Sequence, residues 1–161
     1  MGRLIEIDNK DDILSTFILF VQTAQVVLKY ADSYLYRKAH LSVSKLIVLQ
    51  ALARRSGGMR PSKIAEWTNT ERHNITALVN RMGQDGLVTS ERNSTDRRIV
   101  NIILTEKGRE VLNQAMPMAE KVVTQTMSSI SESDTLLLKE KLTTLRLNAH
   151  CGLEDLAARL T

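Results

Sequence analysis

From Asp11 to Arg37, the apolar residues Ile13, Leu14, Phe17, Ile18, Val21, Ala24, Leu28, Ala31 and Leu35 recur at spacings of three and four. That period predicts one long helix. Phe20 and Val27 widen the stripe beyond what one core needs, so a second buried face is expected, with a partner subunit its natural occupant. Ser42 predicts the N-cap of a second helix reaching about Arg55, whose apolar side is Val43, Leu46, Ile47, Leu49, Leu52 and Ala53. Ser56-Gly57-Gly58 stops it. Pro61 suits the first turn of a short helix, Pro61 to Trp67, with Ile64 and Ala65 inward. After a turn at Thr68 to Thr70, a third helix is expected from about Glu71 to Gln84. Its Ile75, Leu78, Val79 and Met82 make a single stripe, and Gly86 closes it. Helix, short helix, turn, helix is the helix-turn-helix outline.

The apolar pattern then becomes strand-like. Leu87 to Arg92 and Arg98 to Leu104, the second rich in β-branched residues, predict two strands joined by a turn at Asn93 to Asp96. Thr105 predicts the N-cap of a helix to about Met127 or Ser128, which Pro117 should kink. Ser131, with Asp134 three residues on, resembles a capping box and opens a last helix to about Leu160. Leu136, Leu137, Leu138, Leu142, Leu145, Leu147, Leu153, Leu156 and Leu160 give that helix more apolar surface than one face can hold. Both ends of the sequence therefore carry surplus apolar helix, read here as a joint dimerisation module. The alternative is a monomeric bundle in which the terminal helices cover each other.

Length and composition fit this picture. A sequence of 161 residues is one domain, or one domain with oligomerisation arms, and can bury a core without disulfides. Cys151 is the single cysteine, which suits a reducing cytoplasm. The first dozen residues are polar and acidic, unlike a signal peptide. Ser15, Thr16, Gln22, Thr23 and Gln25 break the apolar stretch from Ile13 to Leu28, which argues against a membrane span. His40, His73 and His150 lie far apart, and no metal-spaced cluster, nucleophile motif or phosphate loop occurs, so neither an enzyme nor a cofactor is expected.

Charge is unevenly spread. The net charge is +4, but Arg37 to Arg109 holds 14 Lys and Arg against 6 Asp and Glu, and the flanks are net acidic. A basic middle between acidic arms suits a polyanion partner. The face of the third helix opposite its apolar stripe centres on His73, Ala77, Asn80 and Gln84, flanked by Asn74, Thr76 and Arg81. Asn and Gln can pair with adenine, Arg with guanine, and Ala or Thr can touch a thymine methyl, all in a DNA major groove. Arg72, His73, Asn74, Thr76 and Ala77 are the candidates for bases, with Asn80 and Arg81 nearer phosphates. Near the hairpin turn stand Arg92, Asp96, Arg97 and Arg98. Such arginines suit the negative potential of a narrow minor groove, and Asp96 can brace the guanidinium of Arg98. The ordinary alternatives are a polar helix face and a surface ion pair of small worth.

The stretch "GLVTSERNSTDRRIVNIILTEKG" strongly resembles the winged hairpin of the MarR family of bacterial and archaeal transcription regulators. The matching features are Gly86-Leu87-Val88, Asp96-Arg97-Arg98, the apolar run Ile99 to Ile103, and Leu104-Thr105-Glu106-Lys107-Gly108. The two upstream helices and the last two helices are similar to the family's in pattern. The resemblance implies a mainly α protein with a small β-hairpin wing (α+β): a winged helix-turn-helix at residues 38–108, between dimerisation helices at 1–37 and 109–161. It implies a cytoplasmic homodimer on a pseudo-palindromic operator in double-stranded DNA, most often as a repressor. Each subunit would place Glu71 to Gln84 in a major groove and Asp96 to Arg98 in the flanking minor groove. Ser62 and Lys63 become candidate phosphate contacts, and Ser44 a weaker one.

Many members release DNA on binding a small aromatic or phenolic effector, for which Tyr34, Tyr36 and His40 are the residues on offer. Others sense oxidation through a cysteine near the N-terminus, whereas Cys151 lies in the last helix. Two rival functions are a winged-helix protein–protein interaction module, which would carry an acidic or apolar wing, and a non-specific architectural DNA binder.

Overall fold

A computed structural model describes residues 12–92 and 99–159. The elements follow in the order α1 (Asp12–Ala39), α2 (Val43–Ala53), α3 (Pro61–Thr68), α4 (Arg72–Gln84), β1 (Val88–Arg92), β2 (Val100–Leu104), α5 (Glu106–Met127) and α6 (Glu132–Ala158). The chain parts into two compact units between Val123 and Thr124, within α5.

In the first unit α2 is the central element, packed against α1, α3 and β2. Its N-terminus is capped twice. The Ser42 hydroxyl accepts from the Lys45 N–H (3.2 Å), and the Asp32 carboxylate of α1 accepts from the Val43 N–H (2.7 Å). Leu46, Val48, Leu49, Ala51 and Leu52 are all buried. The apolar side expected of α2 omits Val48 and Ala51; enclosure by three elements buries these as well. Ile64 and Ala65 of α3, and Ile75, Leu78, Val79 and Met82 of α4, complete the middle of the core as expected. Leu112 and Ala115 of α5 join the same cluster.

The strands pair antiparallel, from Val88 opposite Leu104 to Arg92 opposite Val100. A further bridge joins Met59 to Ile102 on the other edge of β2, with reciprocal hydrogen bonds of 3.0 and 2.8 Å. Gly58 makes this approach feasible. Its φ is +71°, and a Cβ there would stand 2.5 Å from the Ile102 carbonyl oxygen. The predicted turn at Asn93 to Asp96, with Arg97 and Arg98, lies outside the described residues.

The exit from α4 is locked. Gly86, with φ +72°, turns the chain, and the Leu87 N–H closes the helix end on the Met82 carbonyl (2.9 Å). The Thr105 hydroxyl donates to the Gly86 carbonyl (2.7 Å) and accepts from the Gly108 N–H (3.0 Å) as the cap of α5. Lys107 Nζ donates to the Asp85 carbonyl (2.7 Å), while Lys45 pairs with the Asp85 carboxylate (2.6 Å). Helix α5 continues through Pro117.

Helix α1 exposes much of its apolar surface; Ile13 is 84% and Phe17 55% accessible. By length and composition alone it could cross a membrane. In the second unit, Ser131 caps α6 by accepting from the Asp134 N–H (3.1 Å), and its hydroxyl also donates to the Asp134 carboxylate (2.6 Å). Leu136, Leu137, Leu145, Leu147, Leu153 and Leu156 of α6 are exposed.

Candidate nucleic-acid interface

Helix α4 is held by its buried stripe and by the locked exit, which fixes what the other face presents. Arg72, His73, Asn74, Thr76, Ala77, Asn80, Arg81 and Gln84 are all exposed. The Thr76 hydroxyl donates to the Arg72 carbonyl (3.0 Å), so that donor is satisfied within the helix. Its methyl group and oxygen lone pairs remain for an external partner. Asn74, Ala77 and Arg81 line a hollow of about 360 Å³ together with Ser44 of α2, Thr68 at the end of α3 and Thr70 of the turn that follows it. Ser44 therefore shares a surface with three of the recognition-helix candidates.

Ser62 and Lys63 are exposed on the first turn of α3. Lys63 Nζ lies 2.6 Å from the Glu66 carboxylate, with both side chains about two-thirds exposed. Such an exposed pair is weakly held. Ser62 also lines a hollow of about 370 Å³ with Arg60, Arg72, Ile99 and Val100, where the starts of α3 and α4 meet the root of the hairpin. Arg92 stands exposed at the end of β1. Asp96, Arg97 and Arg98 fall outside the described residues.

Tyr34, Tyr36 and His40 do not form one cluster through their ring contacts. Tyr34 meets Tyr30, with ring centroids 6.1 Å apart, and Tyr36 meets His40 edge to face at 5.8 Å. His40 adopts φ +51°, and its N–H donates to the Tyr36 carbonyl at the end of α1 (3.0 Å). These contacts serve the helix end. Among the described residues, no three His, Cys, Asp or Glu side chains gather as a metal site.

The sequence pattern passed over a second basic group. Arg54 stacks on the Trp67 indole, 5.9 Å from the ring centroid, beside Arg55 and Arg60. The signal was present as basic residues on both sides of Gly57-Gly58. Nothing in the sequence tied them to Trp67.

A model of the MarR family matches residues 41–99, from the start of the α2 cap to the root of β2. The HTH-type transcriptional repressor MdtR of Bacillus subtilis is 24% identical over 99 residues, a stretch covering 62% of this chain and 63% of that protein. The next two curated relatives are matched over about half their length, 46% and 49%. Among solved structures, the organohalide-sensing regulator RdhR-CbdbA1625 in its 2,4-dichlorophenol-bound form is 25% identical, with a TM-score of 0.78 over 92% of this chain and 89% of that one. Sco3205, a MarR family transcriptional regulator from Streptomyces coelicolor solved in complex with DNA, is 21% identical. It superposes with a TM-score of 0.79 over 91% of this chain and 90% of its own, a likeness of fold.

Proposed function

We propose that this chain is a winged helix-turn-helix transcription regulator of the MarR family and a sequence-specific repressor. It binds a pseudo-palindromic operator as a homodimer. The observation that carries this reading is α4: a helix anchored along Ile75, Leu78, Val79 and Met82 that leaves Arg72, His73, Asn74, Ala77, Asn80 and Arg81 exposed on its other side. Asn74 and Arg81 are assigned to base edges or the phosphates beside them, and Ser62 and Lys63 to the phosphate backbone. Arg92, Asp96, Arg97 and Arg98 are assigned to the flanking minor groove. The exposed apolar side chains of α1, such as Ile13 and Phe17, and of α6, such as Leu136 and Leu156, support a partner subunit. On this reading, residues 1–37 and 109–161 serve dimerisation and 38–108 serve DNA. A small aromatic effector is proposed by analogy with the dichlorophenol-bound relative, with no residues assigned to it.

The test is binding of the purified chain to the DNA just upstream of its own gene, against random competitor DNA, for wild type and Arg98→Ala. Competitor-resistant binding that Arg98→Ala largely abolishes is expected. Salt-sensitive binding with no preference for any DNA would favour an architectural binder. No binding at low salt would favour a protein–protein module.

A further inference from the structure

A hollow of about 550 Å³ lies between the end of α2, the start of β2 and the outer side of α3, lined by Arg55, Arg60, Ser62, Lys63, Trp67 and Asn101, among others. It shares Arg60 and Ser62 with the smaller hollow that reaches Arg72 of α4 and the hairpin root at Val100. The two form one concave path leading away from the reading helix. We propose that this path is a second DNA site, which holds the phosphodiester backbone of the duplex flanking each half-site. The proposal rests on the DNA reading above and extends the footprint beyond α4, the wing and the Ser62 and Lys63 contacts to Arg54, Arg55 and Arg60.

Charge argues for a polyanion. Arg54, Arg55, Arg60 and Lys63 line or flank the path, and Glu66, already engaged by Lys63, is the one carboxylate among its lining residues. Among the described residues, no ion pair engages Arg54, Arg55 or Arg60. Arginine's planar fork matches phosphate oxygens, and the Ser62 hydroxyl supplies a neutral donor beside it.

Rigidity argues for a built surface. The Met59–Ile102 bridge fastens the loop floor to β2, and Gly58 admits no side chain there. The Asn101 amide donates to the Gly57 carbonyl (3.4 Å). Pro61 fixes the start of α3, and the Trp67 face holds the Arg54 guanidinium in place. Cations on a fixed frame lose less freedom on binding than free surface chains. Contacts to phosphate oxygens carry no sequence information, so the path adds affinity without sequence preference.

The experiment compares the full chain on the upstream operator duplex and on the same duplex trimmed by about 10 base pairs, one helical turn, at each end. Trp67 is the sole tryptophan, so its fluorescence reports on the path directly. The long duplex is expected to change Trp67 emission and the trimmed one not. On the long duplex, Arg55→Ala should make the negative slope of log K against log salt shallower by about 0.9 for each phosphate it no longer neutralises. Arg55→Lys should largely retain the slope, and preference for operator over random DNA should stay constant. If Arg55→Ala leaves the slope intact on the long duplex while Arg98→Ala still destroys binding, the path is overturned and the DNA reading stands. If wild type binds neither duplex, both fail together. If benzoate saturably quenches Trp67 and the long duplex does not, the hollow is a small-anion site and the proposal is wrong.

Discussion

Gly108 has no room for a side chain: an added Cβ would fall on the Leu87 carbonyl and close to a Leu104 methyl group. Gly108→Ala is therefore expected to cost about 1–3 kcal/mol, measured by denaturant unfolding. Gly57→Ala, with nothing within 4 Å of the new Cβ, should stay within about 0.5 kcal/mol of wild type. Thr105 was legible in the sequence as a helix start, and Gly108 only as the end of a family motif. Their second duty was not, because the bond from the Thr105 hydroxyl to the Gly86 carbonyl joins residues 19 apart. At the same scale, Asn74 and Lys63 should separate by role. Asn74→Ala should erode the preference for operator over random DNA by about 1–3 kcal/mol for each base edge it ceases to read. Lys63→Ala should weaken binding to all sequences alike and flatten the salt dependence, both read from competition titrations.

Helix α4 was legible to within a residue, because one apolar stripe on a period of 3.6 leaves little choice of face. Helix α2 was less so. Nearly every side chain in its second half is apolar, and periodicity cannot rank faces that are all buried. Leu49, fully buried there, should cost about 2–5 kcal/mol when cut to Ala, seen as a fall in unfolding free energy. The Met59 bridge left no trace in the sequence, since a single paired residue has no period. The Asp32 cap on α2 was hidden for a similar reason. It is a contact between helices, made by an acidic residue that reads as ordinary surface on α1. The two strands of the wing were legible from their β-branched pattern and pair as expected, whereas Asp96 to Arg98 lie outside the described residues, so their role rests on their charge, on the resemblance and on the root that Arg92 and Val100 define.

Across the whole molecule, the exposed apolar side chains of α1 and α6 are what the proposed dimer would cover. Phe17, exposed on α1, is a direct probe. Phe17→Asp should shift the protein from dimer toward monomer in sedimentation equilibrium and make thermal unfolding independent of concentration, whereas wild type should melt higher as concentration rises. A wild-type protein that stays monomeric at high concentration would remove the two-fold symmetry on which the operator expectation depends. That symmetry also makes the central functional claim measurable. The measurement is a footprint of the wild-type chain on the DNA upstream of its own gene, with major-groove and minor-groove probes. Two protected major-groove patches are expected, related by a two-fold axis and centred about 10 base pairs apart or a multiple of that, each weakened by Asn74→Ala. Featureless protection that spreads along the duplex as protein is added would contradict a dimeric, sequence-reading winged helix.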